Sequence, residues 1–257
     1  MKKILLSIAI ISSSLFVIAQ KKVELVEKQE NFTLGTVPAI TITIPYGDEK
    51  EVEKELKNDL KKWKGKLSIK NEFFLDDVIM KEFGENSFDV YGKIYEEGKD
   101  VKIAICIDLG GAYLNSSAHP DKFKVMYDRL DVLGNKITQE VLEDRLKEEE
   151  KTLGKLENEL DKLISKKNDL VHQISDAKAD IAGAQTHIDH ADSSTEEGKK
   201  TIKKSENQIN NSESRIKNAE NEIEKNSRDQ EAKKKEIEEQ KEVVLAAQDK
   251  VDQFKKG

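Results

Sequence analysis

Across 257 residues the chain has one cysteine, one tryptophan and three prolines, and aromatic residues make up 5% of it. A lone Cys106 excludes an intrachain disulfide, so this is no disulfide-stapled miniature fold. It also excludes multi-cysteine zinc sites and Cys-x-x-Cys redox chemistry. Cys106 sits in VKIAICIDLG, where it reads as a small buried hydrophobe in a strand. No basic or helix-N-terminal neighbourhood is visible to activate the thiol. Few aromatics with 37% charged residues is unlike the composition of a single-core enzyme.

The shortages are uneven. After about residue 138 there is no proline, and Phe254 is the only aromatic. The three prolines and Trp63 come earlier. Composition therefore separates an ordinary small domain from a long, polar, helix-forming half. Positive charge is also short: the formal net charge is −7. An acidic chain has no electrostatic basis for holding nucleic acid or an anionic membrane surface, so no nucleic-acid partner is expected.

The long apolar run lies at the start. MKKILLSIAIISSSLFVIA, residues 1–19, has Lys2 and Lys3 before an apolar stretch, with Val17 and Ala19 at −3 and −1 of a cleavage before Gln20. That is the pattern of a secretory signal peptide. At about 15 residues the run is short of the ~20 that cross a bilayer as a helix. No cysteine stands near the cleavage point, which argues against a lipoprotein. The expectation is a bacterial protein exported to the periplasm or beyond, with no integral membrane span once the signal is cleaved. Cleavage removes two lysines and makes the chain more acidic.

Residues 20–136 read as an α+β domain. VPAITITIPYG alternates β-branched residues and ends in a turn; KLSIKN, FFLDDVIMKEF, SFDVYGKIYEE and KDVKIAICIDLG read as four more strands, and KVELVEK at 22–28 as an additional one. Val52, Leu56, Leu60 and Trp63 mark one face of a helix closed by Gly65. HPDKFKVMYDRLDVLGNK returns to helical spacing, with Pro120 at a first helical position and Gly134-Asn135 as a stop. Short turns between strands predict a small antiparallel sheet with two helices on one face. The order β-α-β-β-β-β-α over residues 37–133 resembles the TATA-binding-protein-like module, which also occurs in small exported bacterial domains. The basic and aromatic groove-contacting residues of the DNA-binding relatives have no counterpart here, so DNA binding is not carried over.

DLGGAYLNSSAHPDKF, residues 108–123, has the outline of a phosphate loop. It resembles the Asp-x-Gly-Gly motif of sugar kinases of the actin-like group. Their usual Thr after the glycines is Ala112 here, and no second domain follows. A P-loop needs a Lys-Ser/Thr pair, and a dinucleotide site needs a third spaced glycine in a parallel βαβ unit. Both are missing. The glycines therefore read as backbone release from the sheet, with Ser116, Ser117 or His119 capping the next helix. The weaker alternative is a ligand site in the 109–119 loop formed by Gly110, Gly111, Asn115, Ser116, Ser117 and His119.

Residues 137–257 carry a heptad. Leu146, Leu153, Leu160, Ile174, Ile181, Ile188, Ile202, Ile209, Ile216, Ile223, Ile237, Val244 and Val251 fall in one seven-residue row, position a, interrupted at Lys167, Thr195 and Gln230. Three residues on, position d is mostly Ala, Gly or Ser between Ala177 and Ala219. This is a coiled-coil seam. Large a residues opposite small d residues suit an antiparallel pair, which one chain forms by turning near 191–197. Folding about Ser193 sets Ala184 opposite Ile202 and Ile174 opposite Ser212. Ser193 with Glu196, and Ser194 with Glu197, have capping-box spacing. The rival is one continuous oligomeric coiled-coil helix. Lys167, Gln230 and Lys233 either set the register or snorkel from the seam. His187 and His190 share a helix face near the tip, but lie outside the seam and lack further ligands, so no metal is expected.

These features call for no cofactor and supply no nucleophile–base pair. They point to a non-enzymatic exported envelope protein. It would act through a protein partner or self-association along a coiled-coil arm carrying a small α+β domain. The alternative is a small-ligand or carbohydrate-binding module using the 109–119 loop.

Overall fold

Six stretches of alternating β-branched and aromatic residues form one antiparallel sheet, as a computed structural model describing residues 22–256 shows. The expected signal peptide lies outside those residues. The strands are β1 (Glu24–Phe32), β2 (Gly35–Ile44), β3 (Lys66–Ile69), β4 (Phe73–Val78), β5 (Phe88–Glu97) and β6 (Asp100–Asp108). Their spatial order is β1-β2-β6-β5-β4-β3. Helix α1 (Glu49–Leu60) joins β2 to β3, and two long helices follow: α2 (Pro120–His190) and α3 (Glu196–Lys256). The chain divides into two compact units. One runs through Leu142 and includes the residues from Lys250 on; the other is Glu143–Asp249.

In the first unit, strand periodicity decides which side chains meet. Ile40, Ile42, Ile44, Val90, Val101, Ile103, Ile105 and Ile107 join Val52, Leu56, Leu60 and Trp63, and Met126, Leu130, Leu133, Ile137 and Val141 of α2, in one buried cluster. Each large aliphatic side chain so buried contributes roughly 1.5–3 kcal/mol. Asp48 starts α1 by accepting the Glu51 amide at 3.0 Å, and Glu49 and Glu51 suit the positive end of the helix.

Three expectations need correction. α2 does not stop at Gly134-Asn135; it continues to His190. Gly134 is a packing residue: a Cβ there would stand 2.7 Å from Ile42 and Val23 side-chain atoms. The residues just beyond it, Ile137 and Val141, belong to the same buried interior. The stretch 73–83 is not one strand either. β4 breaks register between Leu75 and Val78, where Asp77 has φ 56°, and 81–83 form a short 3-10 turn. The additional strand expected at 22–28 is longer, running to Phe32.

β1 and β2 pair along their full length, from Glu24–Thr43 to Phe32–Gly35. β2 pairs with β6 only over Ile40–Ile44. The far half of this hairpin, about residues 29–38, therefore leaves the sheet ladder as a two-stranded arm. Its Phe32 and Val37, with Ala39 at its base, form a second buried cluster with Ala104 and Cys106, flanked by Leu34, Tyr91, Tyr95 and Tyr113. These residues have the strand parity opposite to the first cluster, and among the described residues no helical one joins them.

The second unit is a helical hairpin, with bonds crossing between its arms. Arg215 pairs with Asp180 at 2.8 Å, Lys166 with Glu222 at 3.1 Å and Lys233 with Glu159 at 2.9 Å. Gln230 reaches the Leu163 carbonyl at 3.3 Å. A fold about Ser193 would set Ile223 opposite Leu163, so the arms are displaced from that register. Among the described residues, no helix is long and apolar enough to cross a membrane.

Candidate functional site

The glycine loop is closed on itself. Gly110 and Gly111 adopt φ +83° and +134°, conformations open to glycine and costly for other residues. Their amides both point at one carboxylate oxygen, Asp108 Oδ1, at 2.9 and 3.4 Å. A phosphate loop needs such amides for its anion; here the Asp108 side chain, two and three residues back, takes them. Leu109 donates to the Ala112 carbonyl and Leu114 to that of Ile107, both at 2.9 Å, so the chain folds back beside β6 with Tyr113 bridging Asp108.

The next residues complete a second turn. Asn115 Oδ1 accepts the Ser117 hydroxyl and the Ala118 amide, each at 2.8 Å. The Ser116 amide donates to Glu27 Oε1 at 3.0 Å. The His119 amide donates to the Asn115 carbonyl, and its Nδ1 has no hydrogen-bond partner among the described residues. The predicted capping by Ser116 or Ser117 is thus replaced by an Asn115 turn ahead of Pro120. Asn115 and Ser117 also line an open groove of about 440 Å³ with Glu27, Lys28, Gln29 and Pro38. Gly110 and Gly111 do not line it.

The a residues named above all lie on α2 or α3. Ile237 and Val251 are buried, and the other a residues named above are half-buried. At d, Leu170, Ala177, Ala184, Gly198, Ser205, Ser212, Ala219, Asn226 and Ala247 are buried. Small d side chains let the two backbones approach, so the isoleucines flank the contact instead of filling it. Of the polar interruptions, Gln230 is buried and donates to Asn226 Oδ1 at 2.7 Å as well as to Leu163. Lys233 extends to the rim, between Glu159 and Glu236. Gln240 donates to the Glu149 carbonyl and carboxylate at 3.1 and 2.8 Å.

At the tip, Asp192 Oδ1 accepts the Ser194 amide and hydroxyl, and Thr195 Oγ1 accepts the Gly198 amide. Thr195, not Ser193 or Ser194, is therefore the capping side chain of α3. The signal that sequence reading missed is Gly198. A Cβ there would lie 1.8 Å from the Asp192 carbonyl oxygen, so the returning helix packs against the turn through a position only glycine fits. His187 and His190 line an open cleft beside it with Asp192, Thr195 and Glu197. The described group of carboxylates lying within 4.8 Å of one another is elsewhere, at Asp76, Asp77 and Asp89.

A second feature also escaped sequence reading. Glu30 is 8% exposed and is met by Lys93 at 2.8 Å, Lys28 at 2.9 Å, the Tyr95 hydroxyl at 2.6 Å and the Thr41 hydroxyl at 3.2 Å. Burial opposes its ionisation, but Lys93, Tyr95 and Lys28 outweigh that and hold the carboxyl down at about 2. Cys106, under the same arm, is pushed up to about 12 by burial and by Asp108. A thiol held so high is protonated at neutral pH.

No known protein family matches the chain, and no curated protein is similar to it.

Proposed function

We propose that the protein is an exported, non-enzymatic component of a bacterial envelope that works by contact, its helical hairpin serving as spacer or docking arm for the small α+β domain. The observation that carries this reading is the division of labour along the hairpin. The small d residues and Gln230 close the seam within one chain, while the outward positions are dense in Lys and Glu. Such a rod needs no second chain to fold, which leaves its length and outer surface available for partners. On the domain, the reading places α1 and the start of α2 together on one sheet face in a TATA-binding-protein-like arrangement; the shared cluster of Leu56, Met126 and Ile103 supports that. Export rests on the pattern of residues 1–19.

Two measurements test it. Cell fractionation with intact-mass analysis should find the chain outside the cytoplasm and beginning at Gln20; a full-length cytoplasmic chain sinks the localisation. A photo-crosslinking residue placed at exposed Val171 or Leu245 should give a defined adduct in cells. Absence of adducts at positions along both arms sinks the docking role.

A second reading is a small polar ligand or carbohydrate in the groove by Asn115 and Ser117. A thermal-shift screen of the full chain with oligosaccharides tests it. Asn115→Ala should remove any shift found.

A further inference from the structure

The sheet face carrying Cys106 is shielded by a segment that is only lightly tied to the sheet. β2 follows the β6 ladder from Ile44 to Ile40 and no further. Beyond that point, among the described residues, 29–38 bond as a ladder only to each other, from Gln29–Pro38 to Phe32–Gly35. Pro38 offers no amide to a neighbouring strand, and Gly35 at φ +114° turns the arm at its tip. The arm nevertheless hides what lies beneath it. Phe32 and Val37 are 4% and 5% exposed, and Ala104 and Cys106 are 0% exposed.

Besides the apolar seating of Phe32, Val37 and Leu34, the ties that hold the arm down are polar and come from a few side chains. Glu30 takes Lys93 and Tyr95 from β5 and Thr41 from the hinge end of β2. Lys93 also donates to the Asn31 carbonyl at 3.0 Å, with its ammonium 5.3 Å from the Phe32 ring centre. At the tip, the Thr33 amide donates to Glu72 Oε1 at 2.8 Å. Two strands, β2 and β6, lie between β1 and β5 in the sheet, so these bonds require the arm to fold over the face. Cutting the Glu30 set leaves Phe32 and Val37 as the main apolar attachment.

We propose that residues 29–38 form a hinged strap, latched by Glu30 to Lys93 and Tyr95, whose release uncovers the Ala104–Cys106 seat while the rest of the domain stays folded. The latch is electrostatic and directional, and the seat is apolar. Opening is then a local event of lower cost than global unfolding, as expected where a segment has no backbone ladder to the rest of the sheet.

Cys106 reports on it directly, being the one thiol of the chain and lying under the strap. Its alkylation would be followed in native buffer on the full chain, wild type against Glu30→Gln, with circular dichroism recorded on both. Loss of a charge-assisted latch should raise the alkylation rate about tenfold, with the dichroism unchanged and with little dependence on low urea. Glu72→Ala, which touches only the tip, should raise it by about threefold. It carries the test alone if Glu30→Gln does not fold. An unchanged rate in the folded variants overturns the proposal. So does a rate that rises only with urea, in step with global unfolding.

Discussion

The two units bury their apolar residues in opposite ways. In the first, the most enclosed side chains are large: Ile42, Ile44, Leu56, Ile103 and Leu130 are all 0% exposed. In the hairpin, the most enclosed are small: Ala177 and Ala184 at 0% and Ser212 at 2%, while the isoleucines between them remain half-buried. The domain is held by apolar mass, and the hairpin by the closeness that small residues permit. The same substitution should therefore have a different cost in each, and the sign of the better change differs too.

The largest effect should come from removing mass in the domain. Leu56→Ala should cost about 3 kcal/mol or more, read by urea unfolding with buried Trp63, the single tryptophan, as the local probe. Ile209→Ala in the hairpin should cost about 1 kcal/mol, because much of that side chain already meets water. Equal costs would erase the distinction. The reverse experiment adds mass. Gly198→Ala should cost about 2 kcal/mol, seen as a lower hairpin melting temperature by helical dichroism, because its Cβ would collide with the Asp192 carbonyl. Ala177→Leu should cost a similar amount or somewhat less, about 1–2 kcal/mol, whereas Ala182→Leu on the exposed face should be near neutral.

A smaller, pH-dependent contrast sharpens the account of the arm. The Glu30 carboxyl sits at about 2 against an ordinary 4.5. A depressed acid stabilises the fold fully above its unfolded value, and the contribution is lost as pH falls through the folded value. The groups facing it are Lys28 on β1, Thr41 on β2, and Lys93 and Tyr95 on β5. Wild type should thus exceed Glu30→Gln in stability at pH 7, and the gap should narrow from about pH 4.5 downward. A gap constant from pH 7 to 3 contradicts the latch. Smallest of all is the exposed Arg215–Asp180 pair between the arms: Arg215→Ala should cost under about 1 kcal/mol, less in high salt.

Much of this comparison was legible beforehand. Period-2 patterning located the strands apart from the overlong 73–83 run, and the heptad pointed to a helical hairpin, because both patterns depend on which side chains meet water. The helix break at His190 was visible in the polar cluster that follows it. What could not be read were features set by distant backbone. Gly134 looked like a stop because nothing local reveals that a sheet lies against it. Gly198 looked like a d-position residue, because the carbonyl it must clear belongs to the preceding turn. The Glu30 latch joins β1 to β5 across more than 60 residues, and no spacing rule announces it. The glycine loop shows the converse. Its motif suggested an anion, and the anion is supplied by Asp108 of the motif itself.

The seam closes between two arms of one chain. A direct test places spin labels at Lys166→Cys and Glu222→Cys, which pair across the arms at 3.1 Å, in a Cys106→Ser background. Pulsed dipolar spectroscopy would be run with the labelled chain diluted into excess unlabelled protein, so that only distances within a chain register. The hairpin predicts a mean distance under about 25 Å, two adjacent helices plus the label tethers. One continuous helix would separate the same labels by about 80 Å, and that result would contradict the account.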